Sequence, residues 1–248
     1  SGRLEVVVGA TEVGERSDIV FLCVPTPEDI DGSADLSFIE AASSEIGPVL
    51  CEGAIVVNKS TVPVGTTIVV DEVIQRADIK VVSNPEFLRE GTAVNDFLHP
   101  DRVVVGADDR GAAEKVAALY TSIETEIIIT DAASAETIKY AANGFLAMKI
   151  SFVNSVAAMC EAVGADVVDV VEGIGSDRRI GREFLQPGPG WGGSCFPKDS
   201  HSLVHLAETH GYGFSMMRSV IAVNDEQRER MVRKVQRAAG TNDLNGMT

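Results

Sequence analysis

A cysteine with an aspartate four residues on, set in a glycine-rich stretch, is the arrangement in this chain with most scope for chemistry: Gly188-Pro-Gly-Trp-Gly-Gly-Ser-Cys-Phe-Pro-Lys-Asp199. Glycine lets backbone approach a ligand closely and supplies positive φ, at an entropic cost that loops rarely carry without reason. Pro197 fits the first turn of a helix, and Asp199 adds negative charge there. Backbone N–H groups at such an end favour anions, a thiolate included, which would make Cys195 a nucleophile. The competing reading is a Gly/Pro-rich surface connection with an incidental thiol. These residues alone do not decide between the two.

Three other groupings could do chemistry. Lys59-Ser-Thr-Val-Pro-Val-Gly65 places two hydroxyls, Ser60 and Thr61, after a strand and before a helix. Thr61 could orient a water or contact a cofactor there, and a Ser/Thr helix cap is the simpler alternative. Asn84-Pro-Glu-Phe-Leu-Arg-Glu-Gly91 sets Glu86 and Glu90 at i, i+4 with Arg89 beside them. A positioned carboxylate is a standard general acid or base, against the alternative of a solvated charged turn. Lys139-Tyr-Ala-Ala-Asn143 puts an ammonium and an amide on one helical face, able to hold a developing oxyanion or a sugar hydroxyl, or simply an exposed polar stripe. His201 and His205 are also at i, i+4, but with no further ligand in metal spacing they are not read as a metal site.

The elements that must position these residues follow from periodicity. Val/Ile-rich runs at 18–24, 54–58, 79–83, 102–106 and 126–130 read as strands, and Leu4–Val8 is a further short apolar run. Helical patterns at 36–47, 65–76 and 109–121 alternate with them. Continuous apolar strands between helices indicate a parallel sheet covered on both faces, with ligands beyond the carboxyl ends of its strands. The informative loops are therefore Val24–Pro27, Lys59–Pro63 and Asn84–Gly91. After Thr130 the strands stop. Residues 132–162 read as one long helix that tolerates Gly144 at a cost of about 1 kcal/mol, followed by helices at 166–173, 198–210 and 215–238. The expected fold is α/β: a partial Rossmann-like parallel sheet over 1–130, an all-helical domain over 131–238, and a tail over 239–248. The turn G-x-G-x-x-G of a dinucleotide site is absent, and Val8–Gly14 resembles it only superficially.

Composition excludes some function classes. A formal net charge of −16 argues against nonspecific nucleic-acid or anionic-membrane binding, which need basic patches. No run of about 18 uninterrupted apolar residues suggests a bilayer span, and no signal peptide is evident. The four cysteines form no C-x-x-C pair, so free thiols in a reducing cytoplasm are expected. Without a secretory signal, the sequon Asn58-Lys-Ser60 is read as coincidence.

Taken in chain order, Val24-Pro-Thr-Pro27, Ser60-Thr-Val-Pro-Val-Gly65, Asn84-Pro-Glu-Phe-Leu-Arg-Glu-Gly91, Phe97-Leu-His-Pro-Asp-Arg102, Lys139-Tyr-Ala-Ala-Asn143, Arg179-Ile-Gly181 and Gly192-Gly-Ser-Cys-Phe-Pro-Lys-Asp199 resemble the UDP-glucose/GDP-mannose dehydrogenase family. The resemblance runs from near the start to about residue 238. It departs from the family at the first βαβ unit with its glycine fingerprint, and at the C-terminal nucleotide-sugar-binding domain. It implies NAD-dependent, four-electron oxidation of UDP-glucose to UDP-glucuronate; GDP-mannose or UDP-N-acetylmannosamine oxidation, or a truncated noncatalytic dimer core, are the alternatives. By the same resemblance Cys195 would carry a thiohemiacetal and then a thioester. Lys139 and Asn143 would stabilise the oxyanion, Asp199 and Thr61 would position water, and Glu86 would act as general base. Thr26, Ser60, Thr61, Glu90 and Lys198 would contact NAD. Phe87, Leu88, Arg89, Arg179, Phe184, Leu185, Gln186, Gly188, Gly190, Trp191 and Gly192, with Lys139 and Asn143, would hold the nucleotide-sugar. The long helix would form a homodimer core.

Overall fold

A computed structural model describes residues 2, 4–29, 32–89 and 91–244. Five strands form one sheet in the order β1 (Ile19–Leu22), β2 (Ile55–Asn58), β3 (Lys80–Ser83), β4 (Arg102–Gly106), β5 (Glu126–Thr130). The continuous apolar runs are explained by burial from both sides. Val56 joins a core under α2 (Ser37–Ile46) and α3 (Thr66–Ile74), whereas its neighbours Ile55 and Val57 join another under α5 (Arg110–Ala118). A strand buried on both faces has no polar face to alternate with. The pairings β1/β2, β2/β3 and β4/β5 are parallel, as expected; β3/β4 is antiparallel through Ser83 and Gly106, so the sheet is mixed at that one joint.

Two segments differ from the sequence expectation. Leu4, Val6 and Val8 are exposed and form no strand, and the described part of this segment leads into the single turn α1 (Thr11–Gly14). Gly14 serves packing there: a Cβ on it would stand 2.7 Å from the Val49 side chain. A short helix, α4 (Ala93–Leu98), was hidden by its length between Gly91 and Pro100.

The chain divides into two compact units, Ser1–Lys139 and Tyr140–Thr248, and α6 (Ala132–Val163) starts in the first and continues into the second. In the first unit its opening turn lies against the end of β4, where a Cβ on Gly106 would fall 2.4 Å from the Ala135 Cβ and 2.5 Å from the Asp131 carbonyl oxygen. In the second, Tyr140, Ala147, Trp191, Leu203, Met217 and Val220 form a core among α6, α8 (Phe196–Thr209) and α9 (Ser215–Ala239). Gly144, costly in a helix by propensity, has its reason here: its missing Cβ leaves room for Leu203 at 3.0 Å and the Met217 sulfur at 3.4 Å. The remaining helix, α7 (Val167–Gly175), is capped by the Asp166 side chain, which accepts from the Val168 N–H at 2.8 Å.

By length and composition α6 could cross a membrane, although it carries no uninterrupted apolar run of that size. Several of its buried polar side chains have protein partners. Asn143 donates to Asp199 (2.5 Å), the Ser151 hydroxyl to the Val220 carbonyl (2.9 Å), and Asn154 accepts from the Gly188 N–H (2.8 Å). These pairings tie the buried side of α6 to neighbouring helices and loops, while its other side is exposed.

Candidate active site

In the first unit the loops after β1 and β2 are stitched together. The Thr26 hydroxyl donates to the Thr61 carbonyl (2.8 Å), and the Ser60 hydroxyl donates to the Val24 carbonyl (2.6 Å). The loop after β3 is anchored at its root. Asn84 is fully buried, donates to the Val104 carbonyl (2.7 Å) and accepts from the Tyr120 hydroxyl (2.5 Å). Burial first, then the nearby Glu86 and Cys23, push the Tyr120 phenol up to about 12, so it stays a donor at ordinary pH.

That anchored loop presents Glu86 and Phe87. Glu86 stands 2.7 Å from the Lys59 ammonium and accepts the Phe87 N–H at 2.8 Å, so both oxygens are engaged while each keeps a lone pair for another donor. The Phe87 ring lies 4.0 Å from the Arg102 guanidinium and 5.2 Å from the buried Lys139 ammonium, a geometry suited to cation–π attraction. Leu88 is exposed. Arg89 makes a two-pronged contact with Asp96 (2.7 and 3.1 Å), and this guanidinium is the main cause that holds the Asp96 carboxyl well below the usual carboxylate range. The expected contribution of Arg89 to ligand binding must therefore share the guanidinium with Asp96. Glu90 lies outside the described residues.

In the second unit, α8 begins at Phe196 rather than 198, which makes Cys195 its N-cap residue, with an exposed thiol. One turn on, Asp199 is 1% exposed. Its Oδ2 accepts from the Asn143 amide at 2.5 Å, and its Oδ1 has the Lys198 ammonium at 3.0 Å, within ion-pair range but off the line of a hydrogen bond. Lys198 itself is 13% exposed. The cysteine, the buried carboxylate and its two partners are thus brought together by one helix start and one turn of α6.

These motifs sit on a chain whose residues 1–124 match the NAD binding domain of the UDP-glucose/GDP-mannose dehydrogenase family and whose residues 133–226 match its central domain. The chain belongs to this family. It is 47% identical to the UDP-glucose 6-dehydrogenase of Rhizobium meliloti (strain 1021), covering 99% of this chain and 58% of that protein. It is 46% identical to the UDP-glucose 6-dehydrogenase TuaD of Bacillus subtilis (strain 168), over 91% of this chain and 50% of that one. Among solved structures, a UDP-glucose dehydrogenase from the hyperthermophilic archaeon Pyrobaculum islandicum matches with a TM-score of 0.91 at 39% identity, over 96% of this chain and 57% of that one. The chain thus spans about half the length of the curated relatives it matches.

In this member of the dehydrogenase family, the glycine-rich loop before Cys195 is held by residues that sequence reasoning missed. The Gly188 N–H donates to Asn154 (2.8 Å) and its carbonyl accepts from Gln227 (2.6 Å). Asn224 accepts the Trp191 N–H (2.8 Å) and donates to its carbonyl (3.0 Å). Gly190, at φ 114°, is required because a Cβ would lie 2.7 Å from the Asn224 Oδ1. The signal was present: asparagines and a glutamine inside otherwise apolar helical windows. Trp191 is buried at 5% exposure, with its indole N–H donating to Ser151 (2.9 Å), so its ring is packed into this unit's core. Leu185 is likewise buried, and Phe184 holds a positive φ of 63° with its ring edge-on to Phe196 at 6.3 Å. Gln186 and Gly192 are exposed, and Arg179 is exposed and paired with Asp177 at 2.6 Å.

Glu136 was also missed. It is 2% exposed, three residues before Lys139 on α6, and accepts from the Gly65 N–H (2.6 Å) and the Thr67 N–H (3.1 Å) at the start of α3. Burial pushes its carboxyl up to about 7, against the lowering effect of those two N–H bonds.

Proposed function

We propose that the protein containing this chain oxidises UDP-glucose to UDP-glucuronate, with Cys195 as covalent nucleophile. The observation that carries this is the exposed thiol at the N-cap of α8, one turn from a buried Asp199 that Asn143 and Lys198 flank. Its occurrence in a chain so similar to UDP-glucose 6-dehydrogenases directs the reading to that substrate.

NAD+, when bound, would supply the hydride acceptor for both oxidations. The residues present suit part of that dinucleotide: Thr26, Ser60 and Thr61 supply hydroxyls at the carboxyl ends of β1 and β2, where such sheets bind ligands. The glycine turn for a pyrophosphate is not in these residues, since Gly14 is committed to packing on Val49. Glu90 and Lys198 are read as further cofactor contacts, the latter while it balances Asp199.

Loss of a hydride from C6 and of the hydroxyl proton gives the aldehyde; the Cys195 thiolate adds to its carbonyl carbon, and the resulting oxyanion takes up a proton to give a thiohemiacetal. Loss of hydride and a proton leaves a thioester. Water then adds to its carbonyl carbon, the C–S bond breaks, and carboxylate and thiol result. Covalent capture divides one hard oxidation into smaller barriers and keeps the aldehyde from escaping. Lys139 and Asn143 hold the developing oxyanion. The buried Asp199 Oδ1 retains lone pairs for a water, which supports a positioning role shared with Thr61. Glu86 takes the proton of the attacking water. Phe87, Leu88, Arg89, Arg179 and the Phe184–Gly192 loop hold the nucleotide-sugar.

The full natural chain should form two NADH per UDP-glucose consumed, and none with GDP-mannose or UDP-N-acetylmannosamine; absorbance at the reduced-nicotinamide band reads this directly. A single NADH per UDP-glucose would remove the thioester route.

We also infer self-association through α6. Phe145, Phe152 and Met159 recur at seven-residue spacing on that helix and are all more than half exposed, an apolar row of the kind that marks a partner-binding face. Sedimentation equilibrium should give a dimer that Phe145→Glu and Phe152→Glu together convert to monomer. A monomeric wild type would end this reading.

A further inference from the structure

The start of a helix ordinarily leaves its first N–H groups to water or to a cap side chain from its own chain segment. At α3 no side chain of its own cap position serves them: the cap is Gly65, at φ 97°. The partner comes instead from a distant helix, in the form of the buried Glu136 carboxylate, which takes the N–H groups of Gly65 and Thr67 with separate oxygens. Glu136 lies one turn before Lys139 on α6, and Gly65 ends the loop that carries Ser60 and Thr61. One side chain therefore ties the loop proposed to position cofactor and water to the helix proposed to hold the oxyanion.

We propose that Glu136 is a positioning residue that locks the Ser60–Gly65 loop and the first turn of α3 to α6, holding Thr61 and Lys139 in one frame. The lock depends on charge state. A carboxylate accepts both N–H bonds strongly, and a carboxylic acid loses acceptor strength on one oxygen and gains an unpaired O–H. The groups that face it are the Thr67 side chain on α3 and Asp108 in the loop after β4, whose charge disfavours ionisation of Glu136. Since the carboxyl titrates near neutrality, the lock is closed above about pH 7 and loosens below it.

Only the kinetic arm of the test rests on the function proposed above. In the wild-type chain, amide hydrogen exchange at Gly65 and Thr67, corrected for intrinsic rates, should show protection that falls about tenfold as pH drops from 8 to 6. In Glu136→Gln, whose amide presents an NH2 group to one of those N–H donors, protection should already be low at pH 8 and flat with pH. In the full natural chain, the acid limb of the kcat profile near neutrality should disappear in Glu136→Gln. KM for UDP-glucose should stay within about twofold. Protection that is flat with pH in the wild type, or equal in wild type and variant, overturns the lock, and needs no variant to fold for the first of these. If no nucleotide-sugar is oxidised by the wild type, the functional reading fails and the exchange data decide the lock by themselves.

Discussion

Cys195→Ser in the full natural chain should lower the rate of UDP-glucuronate formation by about 10³-fold or more and leave sugar covalently attached or stalled at an intermediate stage. The reason is the leaving group. A thioester expels a stabilised thiolate when water attacks, whereas an ester at the same place must expel an alkoxide. The exposed position of the thiol at the helix start suits attack by and on this atom, and a serine of nearly the same shape keeps the local backbone. Cys195 also stands beside Ser194, whose hydroxyl is 3.6 Å from the sulfur, so a hydroxyl in this neighbourhood is tolerated by the fold. Intact-protein mass spectrometry of the variant with substrate and NAD+ reads the adduct, and quenched sampling reads the product. A variant that releases uronate at the wild-type rate would remove Cys195 from the mechanism, and with it the covalent route.

The second large effect concerns stability. Asp199→Ala should destabilise the fold by about 3–5 kcal/mol, the range for removing a buried carboxylate that an ammonium and an amide both contact. Asp199 is 1% exposed, and Lys198 beside it has 13% of its side chain exposed, enough for partial hydration and hence for the lower end of that range. The same change also leaves the buried Asn143 amide without its acceptor. Urea unfolding should show a lower midpoint with an unchanged slope. An Asp199→Ala midpoint equal to the wild type would mean that the pair is solvated and contributes little, and would weaken the case for a desolvated carboxylate next to the nucleophile.

Much of this architecture could be read from local pattern. The Val/Ile runs at β2 and β4 identify strands buried on both faces, because such strands have no solvated side for polar residues to occupy. The long helix, the proline-led start of α8 and the ordered motifs were legible for the same kind of reason: each depends on residues within a few positions of one another. The placement of Cys195 directly at a helix start followed from Pro197 and Asp199, and α8 begins there.

Polar partnerships were not legible in that way. Glu86 reads as a free carboxylate on a turn, yet it lies against Lys59, which arrives from the end of another strand. Trp191 is expected as part of a loop that holds the nucleotide-sugar, and only the structure shows that its indole fastens that loop to Ser151 on α6. Glu136 looks like one more charge near a helix start until α3 is seen to begin on it. The antiparallel joint between β3 and β4 belongs to the same class. By itself the sequence determined most of the strands and helices, which of their faces are apolar, and the family's chemistry-bearing residues in order. Tertiary structure alone decided which buried donor meets which acceptor, since that choice depends on segments brought together from tens of residues apart, and a buried polar group is stable only where such a partner arrives.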